Sequence, residues 1–473
     1  MDTRLPRYDL VCIGSGPAGE KAALMAATAG KRVLIVERSS TPGGAMVNTG
    51  TLASKVLRET ALLYSAFRRR PIPGVGLELD RAVSLRRFMA RKTLVQIEEH
   101  DRIERSIDRC GVDVERGTGR VLGDHRVGVT AEDGSTKEFA CEHLLIATGS
   151  RPFRPETMDF TRPSIVDADG LLELERMPRS MIVVGGGVIG TEYACIFAEM
   201  GVDMTIIEPR DALLPFLDHE VRDALLAQLT HIGIRTVFSC AVDGVTGSAE
   251  SATVRLKDGR SLTAETVLWA LGRVGNTDGI GFESVGLVPD TRGLLQVDAH
   301  YRTSVDWIWA AGDVIGFPAL ASTSLEQGRI AAAHMFGLPY HQKLAKTVPI
   351  GIYTIPAIGA VGLSEDEARA KGFEIVVGRS RYRNNPRGRM LGDDQGLCKM
   401  VFDAHDRKLL GASVIGEDAT ELIHLAQAAI VFGAGIDFFV EACLNYPSLG
   451  DLFKYAAIDA EGTLARLTQR AAA

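Results

Sequence analysis

The stretch YDLVCIGSGPAGEKAALMAATAGKRVLIVE, running from Tyr8 to Glu37, holds three successive patterns. An apolar run reads as a buried strand; after a glycine turn, Ala22, Met25, Ala26 and Ala29 recur at helical spacing and predict one face of a helix. A second apolar run then ends at Glu37. This is the pattern of a βαβ unit whose turn carries Gly14, Gly16 and Gly19. The first glycine permits the tight turn, the second lets the backbone approach a pyrophosphate, and the third lets helix and strand pack closely. The pyrophosphate then meets the positive end of the helix. Glu37, eighteen residues beyond Gly19, is placed to accept a hydrogen bond from a ribose 2′-hydroxyl.

A lone turn of this kind is weak evidence, because glycine-rich turns are common. Here the whole constellation occurs twice. SMIVVGGGVIGTEYACIFAEMGVDMTIIE, Ser180 to Glu208, repeats it with Gly185, Gly187, Gly190 and, again eighteen residues on, Glu208. Two complete units predict that the chain holds two dinucleotides at once. A carboxylate at Glu208 suits a free 2′-hydroxyl and repels a 2′-phosphate, which favours NAD in the second unit. Arg210, two residues on, either turns towards a 2′-phosphate and admits NADP, or is a solvated loop residue.

At 473 residues the chain exceeds the ~250–300 at which single cores stop growing, so about three domains are expected. A formal charge of −7 argues against a nucleic-acid partner. The basic clusters Arg68, Arg69, Arg70 and Arg86, Arg87, Arg91, Lys92 read as solvated faces. No export signal is visible before the first strand. The most apolar long segment, His424 to Leu444, is interrupted by Gln427, Asp437 and Glu441, short of the ~18 apolar residues of a membrane span. A cytoplasmic protein with no membrane partner is expected. The seven cysteines, Cys12, Cys110, Cys141, Cys195, Cys240, Cys398 and Cys443, show no CxxC or metal-ligand spacing, so neither a disulfide scaffold nor a metal is expected. They read as small buried hydrophobes.

Three further phrases, IATGSRP (Ile146 to Pro152), VLWALGRVGNT (Val267 to Thr277) and TSVDWIWAAGDV (Thr303 to Val314), accompany the two cradles. Together they resemble, over nearly the whole chain, the two-dinucleotide flavoprotein family that includes glutathione reductase and dihydrolipoamide dehydrogenase. The resemblance implies an α/β fold of two Rossmann-like domains, the first for FAD and the second for NAD(P), with a C-terminal α+β dimerisation domain. The implied boundaries are 1–150 and 271–345 for the discontinuous FAD domain, 151–270 for the NAD(P) domain and 346–473 for the interface domain. Glycine- and proline-containing joints at Gly149 to Pro155 and Lys346 to Pro349 fit them. A homodimer with shared active sites is implied as well. FAD would be held by Gly14, Gly16, Gly19, Glu37 and Asp313, the last at the ribitol. The nicotinamide nucleotide would be held by Gly185, Gly187, Gly190, Glu208 and Arg210. Gly44, Lys55, Thr148, Gly149 and Gly272 complete the expected cofactor-binding set. Taken alone, Asp313 also reads as a turn residue after a strand.

The segment GGAMVNTGTLASK, Gly43 to Lys55, is where this family's disulfide reductases keep two redox cysteines; Met46 and Thr51 stand at those positions. Electrons then have no dithiol through which to leave the flavin. The C-terminal NYPSLGDLFKYAA places Tyr446 where the reductases have a histidine base, and Asp451 where they have its glutamate partner. A tyrosine near pKa ~10 is a poor base at neutral pH. Disulfide and proton relay are missing together, which indicates a different reaction. Met46 and Thr51 are expected to be packing residues.

These phrases look most like the soluble pyridine nucleotide transhydrogenase branch of the family. Ala53 departs from that branch's usual proline and would loosen the helix start. Lys55 and Glu192 are retained; in the family this pair meets beside flavin N5, whereas Lys55 read alone is a solvent-facing helix lysine. The expected activity is an FAD-dependent NAD(P)+ transhydrogenase that moves hydride between NADPH and NAD+ by a ping-pong course with NAD(H) and NADP(H) as substrates. Two rivals are an NAD(P)H dehydrogenase that serves a quinone or dye, and a redox-silent FAD-binding dimeric scaffold.

Overall fold

In the computed structural model, which describes residues 5–69, 85–341 and 343–472, both glycine-turn units form as read. The first runs strand Arg7–Ile13, helix Pro17–Thr28, strand Val33–Glu37; the second runs Ser180–Val184, Val188–Glu199, Asp203–Glu208. The first helix is short of the predicted face: Ala22, Ala23 and Ala26 are buried, but Ala29 is exposed beyond the helix end, just before Gly30 turns the chain at φ +79°.

The first sheet has seven strands in the order Asp113–Arg116, Val33–Glu37, Arg7–Ile13, Thr136–Ile146, Arg126–Thr130, Thr118–Gly123, with Ile308–Ala310 parallel to Thr136–Ile146. Residues 308–310 thus return to the first sheet after the whole second unit has intervened. The register sets Val11 opposite both Leu34 and Leu144, so the central strand is apolar along its length, as a strand covered on both faces requires. Helix Pro17–Thr28 packs on these strands and on helix Ala321–Phe336. The helices meet where a side chain at Gly328 would place its Cβ 2.1 Å from the Ala18 carbonyl oxygen.

The second sheet is a five-stranded parallel one, ordered Arg235–Phe238, Asp203–Glu208, Ser180–Val184, Thr266–Trp269, Ile165–Asp167. The two sheets are joined by a two-stranded antiparallel pair, Ser150–Pro152 with Arg273–Gly275. A third unit follows, with a five-stranded antiparallel sheet built from residues 350–416 and flanking helices. Within it the apolar stretch from His424 divides into helices Ala419–Val431 and Ile436–Glu441, with Gly433 at φ +67° between them. Among the described residues no helix is long and apolar enough to cross a membrane.

Helix Thr51–Arg69 carries the end of the cysteine-free segment. It begins at Thr51 with Ala53 fully buried in its first turn, so the missing proline does not loosen it. Leu57 on this helix, Phe88 on helix Leu85–Arg109 and Phe197 on helix Val188–Glu199 share one core and are fully buried. Phe88 and Phe197 meet edge to face at 6.4 Å. Each such side chain contributes about 1.5–3 kcal/mol through burial. This apolar contact docks the first unit on the second and sets Lys55 against Glu192.

Several expectations are corrected by the structure. Lys92 is not on a solvated face but buried, because its helix is wedged into that same core; burial pulls its ammonium below the ordinary lysine range, with Glu173 opposing. Arg86, Arg87 and Arg91 are exposed as read, while the side chains of Arg68, Arg69 and Arg70 lie outside the described residues. Thr51 is exposed at its helix start and is not a packing residue, whereas Met46 packs partly buried against the first unit's core. Cys443 is exposed and Cys110 half-buried, each lying just past a helix end; the other five cysteines are buried, and all seven are free.

Candidate functional site

The two cradles share one geometry. Gly14 and Gly185 lie at φ +107° and +116°, where a side chain is strained. A Cβ on Gly19 would fall 2.0 Å from the Gly14 carbonyl oxygen, and one on Gly190 1.9 Å from that of Gly185. The middle glycines differ: nothing lies within 4 Å of a Cβ on Gly187, and only the Gly44 Cα, at 3.8 Å, faces one on Gly16. Both are helix N-caps without a side-chain hydrogen bond, so the first N–H groups of helices Pro17–Thr28 and Val188–Glu199 have no side-chain cap. An anionic diphosphate matches that arrangement. Gly44, at φ +55°, seats the short helix Gly44–Asn48 against Gly16. Gly149 and Gly272 also hold positive φ, on either side of the two-stranded joint.

The terminal acids are held rigidly. Glu37 accepts hydrogen bonds from the Ser15 N–H at 2.8 Å, the Ser15 hydroxyl at 2.6 Å and the Ser39 N–H at 2.8 Å. Glu208 accepts from the Gly186 N–H at 2.7 Å and the Arg210 N–H at 3.0 Å. Arg210 neither floats nor reaches outward: its guanidinium clasps Glu208 at 2.7 and 3.1 Å. Burial pushes the Glu208 carboxyl up, but the Arg210 guanidinium and the two N–H donors more than offset this and hold it below the usual range. The carboxylate and the guanidinium that the sequence reading set in opposition over a 2′-phosphate are therefore a single paired unit.

Between the cradles, Lys55 Nζ donates to Glu192 Oε2 at 2.7 Å, with side-chain exposures of 24% and 5%. Lys55 is thus not a solvent-facing helix lysine. The other carboxylate oxygen of Glu192 accepts from the Tyr353 N–H at 2.8 Å, and the Tyr353 ring lies 4.7 Å from Lys55 Nζ. Tyr353 belongs to the third unit, so all three units converge on this pair. No local pattern in the sequence marks Tyr353.

Asp313 accepts from the Ser150 hydroxyl at 2.8 Å. Thr148 Oγ1, in the adjacent turn, is buried with no hydrogen-bond partner among the described residues. An unmet hydroxyl beside uncapped helix N-termini and a paired aspartate fits a polar cofactor such as FAD. Tyr446 is 74% exposed in the C-terminal unit, and Asp451 is buried at the start of the last helix.

Comparisons with known proteins agree with this geometry. The family described as pyridine nucleotide-disulphide oxidoreductase matches residues 8–328, and its dimerisation domain matches residues 348–457. Proteins named soluble pyridine nucleotide transhydrogenase are 40% identical in Mycobacterium tuberculosis, over 98% of this chain and 99% of theirs, and 38% identical in Vibrio cholerae, over 96% and 97%. The crystal structure of LpdA from Mycobacterium tuberculosis superposes with a TM-score of 0.87 at 30% identity, covering 96% of this chain and 99% of that one. The flavoprotein disulfide reductase RclA from Escherichia coli gives 0.87 at 26% identity over the same shares.

Proposed function

Because the chain belongs to the pyridine nucleotide-disulphide oxidoreductase family and is an FAD-dependent oxidoreductase acting on nicotinamide nucleotides, we propose that it is an NAD(P)+ transhydrogenase that works without a redox disulfide. One observation carries the reading. The segment Gly43 to Lys55 offers no thiol, yet both cradles are complete and the Lys55–Glu192 pair joining them is made. The names of the relatives point the same way.

FAD, when bound, supplies the two-electron hydride chemistry. Gly14, Gly16, Gly19, Gly44, Thr148, Gly149, Gly272, Glu37 and Asp313 are the residues that would hold it. Gly185, Gly187, Gly190, Glu208 and Arg210 bind the nicotinamide nucleotide. Lys55 places a positive charge where the two units meet, and Glu192, fixed by the Tyr353 N–H, keeps that charge oriented. With Glu192 almost wholly covered, water reaches the pair only from the lysine side, which strengthens its field relative to a fully solvated pair.

With one nicotinamide cradle, NADPH and NAD+ occupy it in turn, which is ping-pong order. Arg210, already close to the ribose end, admits NADP(H) by turning from Glu208, while Glu208 itself serves NAD(H). We place the domain boundaries at 1–150 with 271–345, 151–270 and 346–473. The reading includes a homodimer formed through the third unit and a cytoplasmic location. Initial rates measured against NADPH at several fixed concentrations of an NAD+ analogue with its own absorbance test the order. Parallel double-reciprocal lines are expected; intersecting lines mean that both nucleotides bind together, and the single-cradle reading fails.

A further inference from the structure

The hairpin loop at residues 353–356 joins strands Ile350–Ile352 and Ala357–Gly362 of the third unit. Loops of this kind usually lie in solvent. Here Thr354 is fully buried and Ile355 nearly so, and Ile352 and Ile355 belong to the same core as Leu57 and Phe197. A buried loop must find partners for its backbone polar groups inside the protein. The other two units each supply one. The Tyr353 N–H donates to Glu192 Oε1 at 2.8 Å in the second unit, and the Thr354 carbonyl accepts from Arg58 Nε at 3.0 Å in the first. Within the loop the Thr354 hydroxyl donates to the Pro356 carbonyl at 2.6 Å.

Arg58 stands three residues after Lys55 on helix Thr51–Arg69, so the two side chains share a face. Its side chain is only 10% exposed, and its carboxylate partner Glu59, 2.7 Å from Nη1, is 59% exposed. Withdrawing a guanidinium from water is costly, and a neutral donor would suffice to satisfy one carbonyl. The two cations of this face act on neighbouring residues: Lys55 Nζ lies 4.7 Å from the Tyr353 ring, and Arg58 holds the Thr354 carbonyl. Tyr353 in turn fixes one oxygen of Glu192, whose other oxygen accepts from Lys55 at 2.7 Å. These contacts close a ring through all three units, from Lys55 to Glu192, to the backbone of residues 353 and 354, to Arg58, and back along the helix to Lys55.

We propose that Arg58 is a positioning residue for hydride transfer: by pinning the Thr354 carbonyl it aims the Tyr353 N–H at Glu192, and so sets where the Lys55 charge stands. The third unit thereby takes part in the reaction through backbone groups alone, with Arg58 as the side chain that governs them. The inference rests on the reading of Lys55 and Glu192 as the pair that tunes the flavin.

Anaerobic stopped-flow reduction of the full-length, FAD-loaded protein over a range of NADPH concentrations tests it, because saturation separates the limiting rate from nucleotide affinity. Arg58→Leu is expected to slow the limiting rate about tenfold, the effect of losing one hydrogen bond from a charged group, and to leave the NADPH dissociation constant unchanged. The flavin midpoint potential, read by equilibration with a reference dye, should fall by about 30 mV, the two-electron equivalent of tenfold. A packing defect alone would lower the yield of folded flavoprotein and leave the potential in place. Arg58→Lys, which keeps a cationic donor, should slow the limiting rate only about threefold. In a Glu192→Ala background Arg58→Leu should have no further effect, because the carboxylate it orients is gone. A slowing that persists and adds in that background overturns the proposal, as does a wild-type limiting rate and potential in Arg58→Leu. A wild-type limiting rate in Glu192→Ala instead overturns the underlying reading of the pair. Should Arg58→Leu fail to fold or to hold FAD, Arg58→Lys carries the same cycle.

Discussion

Replacing Lys55 with methionine removes the only cation that the structure places on Glu192 among the described residues, while keeping most of the aliphatic stem. Glu192 is almost wholly covered, at 5% exposure, and would retain a single donor, the Tyr353 N–H at 2.8 Å. Breaking a buried ion pair by deleting one partner costs about 3–5 kcal/mol. Because the lysine side chain is 24% exposed, water screens part of the interaction and the lower end, about 3 kcal/mol, is expected for stability. The functional effect is larger than a packing defect would give. Deleting a preorganised charge at a reacting centre slows the chemical step by about 10²–10³. Anaerobic stopped-flow mixing, following the loss of flavin absorbance, measures it with NADPH and then with NADH. The two nucleotides should slow together, since Lys55 lies at the meeting point of the units and not at the ribose end where they differ. Glu192→Gln, which keeps the hydrogen bond to Tyr353, should slow less. Wild-type bleaching rates with both nucleotides in Lys55→Met would refute the functional role of this segment.

Other consequences are separable. Gly187→Ala places its Cβ in open space and should fold normally yet bind NADPH weakly with FAD retained, whereas Gly190→Ala collides at 1.9 Å with Gly185 and should compromise folding; calorimetry and melts distinguish the two. The Arg379 guanidinium, then Lys399, hold the Glu220 carboxyl down at about 2, so its contribution to stability is complete above about pH 4.5 and is lost as pH falls towards 2. Glu220→Gln should flatten the acid limb of urea denaturation midpoints in that window. Burial lowers His334, with its stacked neighbour His300 adding to the effect, so stability is complete above about pH 6.5 and declines below it; His334→Gln should remove that decline. Cys443 is the exposed cysteine and should react first with a thiol reagent, with transhydrogenation unchanged after labelling.

Both cradles were legible because their signals are local: glycines at fixed spacing, an apolar strand on each side and an acid eighteen residues on. The pairing of Lys55 with Glu192 spans 137 residues and came only from family resemblance. Nothing near Tyr353 announces that its backbone N–H completes the pair, because every residue except proline carries that donor and only the tertiary fold selects one. Lys92 escaped a local reading for a related reason. Within its own helix it belongs to a run of charges, and its burial depends on a core supplied by other elements. Lys399 gave no signal at all: it is 1% exposed, bonded by Asp218, Glu220 and Glu365 at 2.7–2.8 Å, and those acids lie far away in the chain. Thr51 illustrates the opposite limit, since a residue that replaces a cysteine in a motif need not inherit a buried environment.

The central claim is that hydride traffic enters and leaves by the nicotinamide cradle alone. It is tested by reducing the flavoprotein anaerobically with one equivalent of NADPH, removing NADP+, and adding an NAD+ analogue or a soluble quinone in separate mixings. Rapid return of flavin absorbance with stoichiometric reduced analogue, without a thiolate-to-flavin charge-transfer band, is the expected result. Negligible transfer to the analogue with rapid reoxidation by the quinone would contradict it.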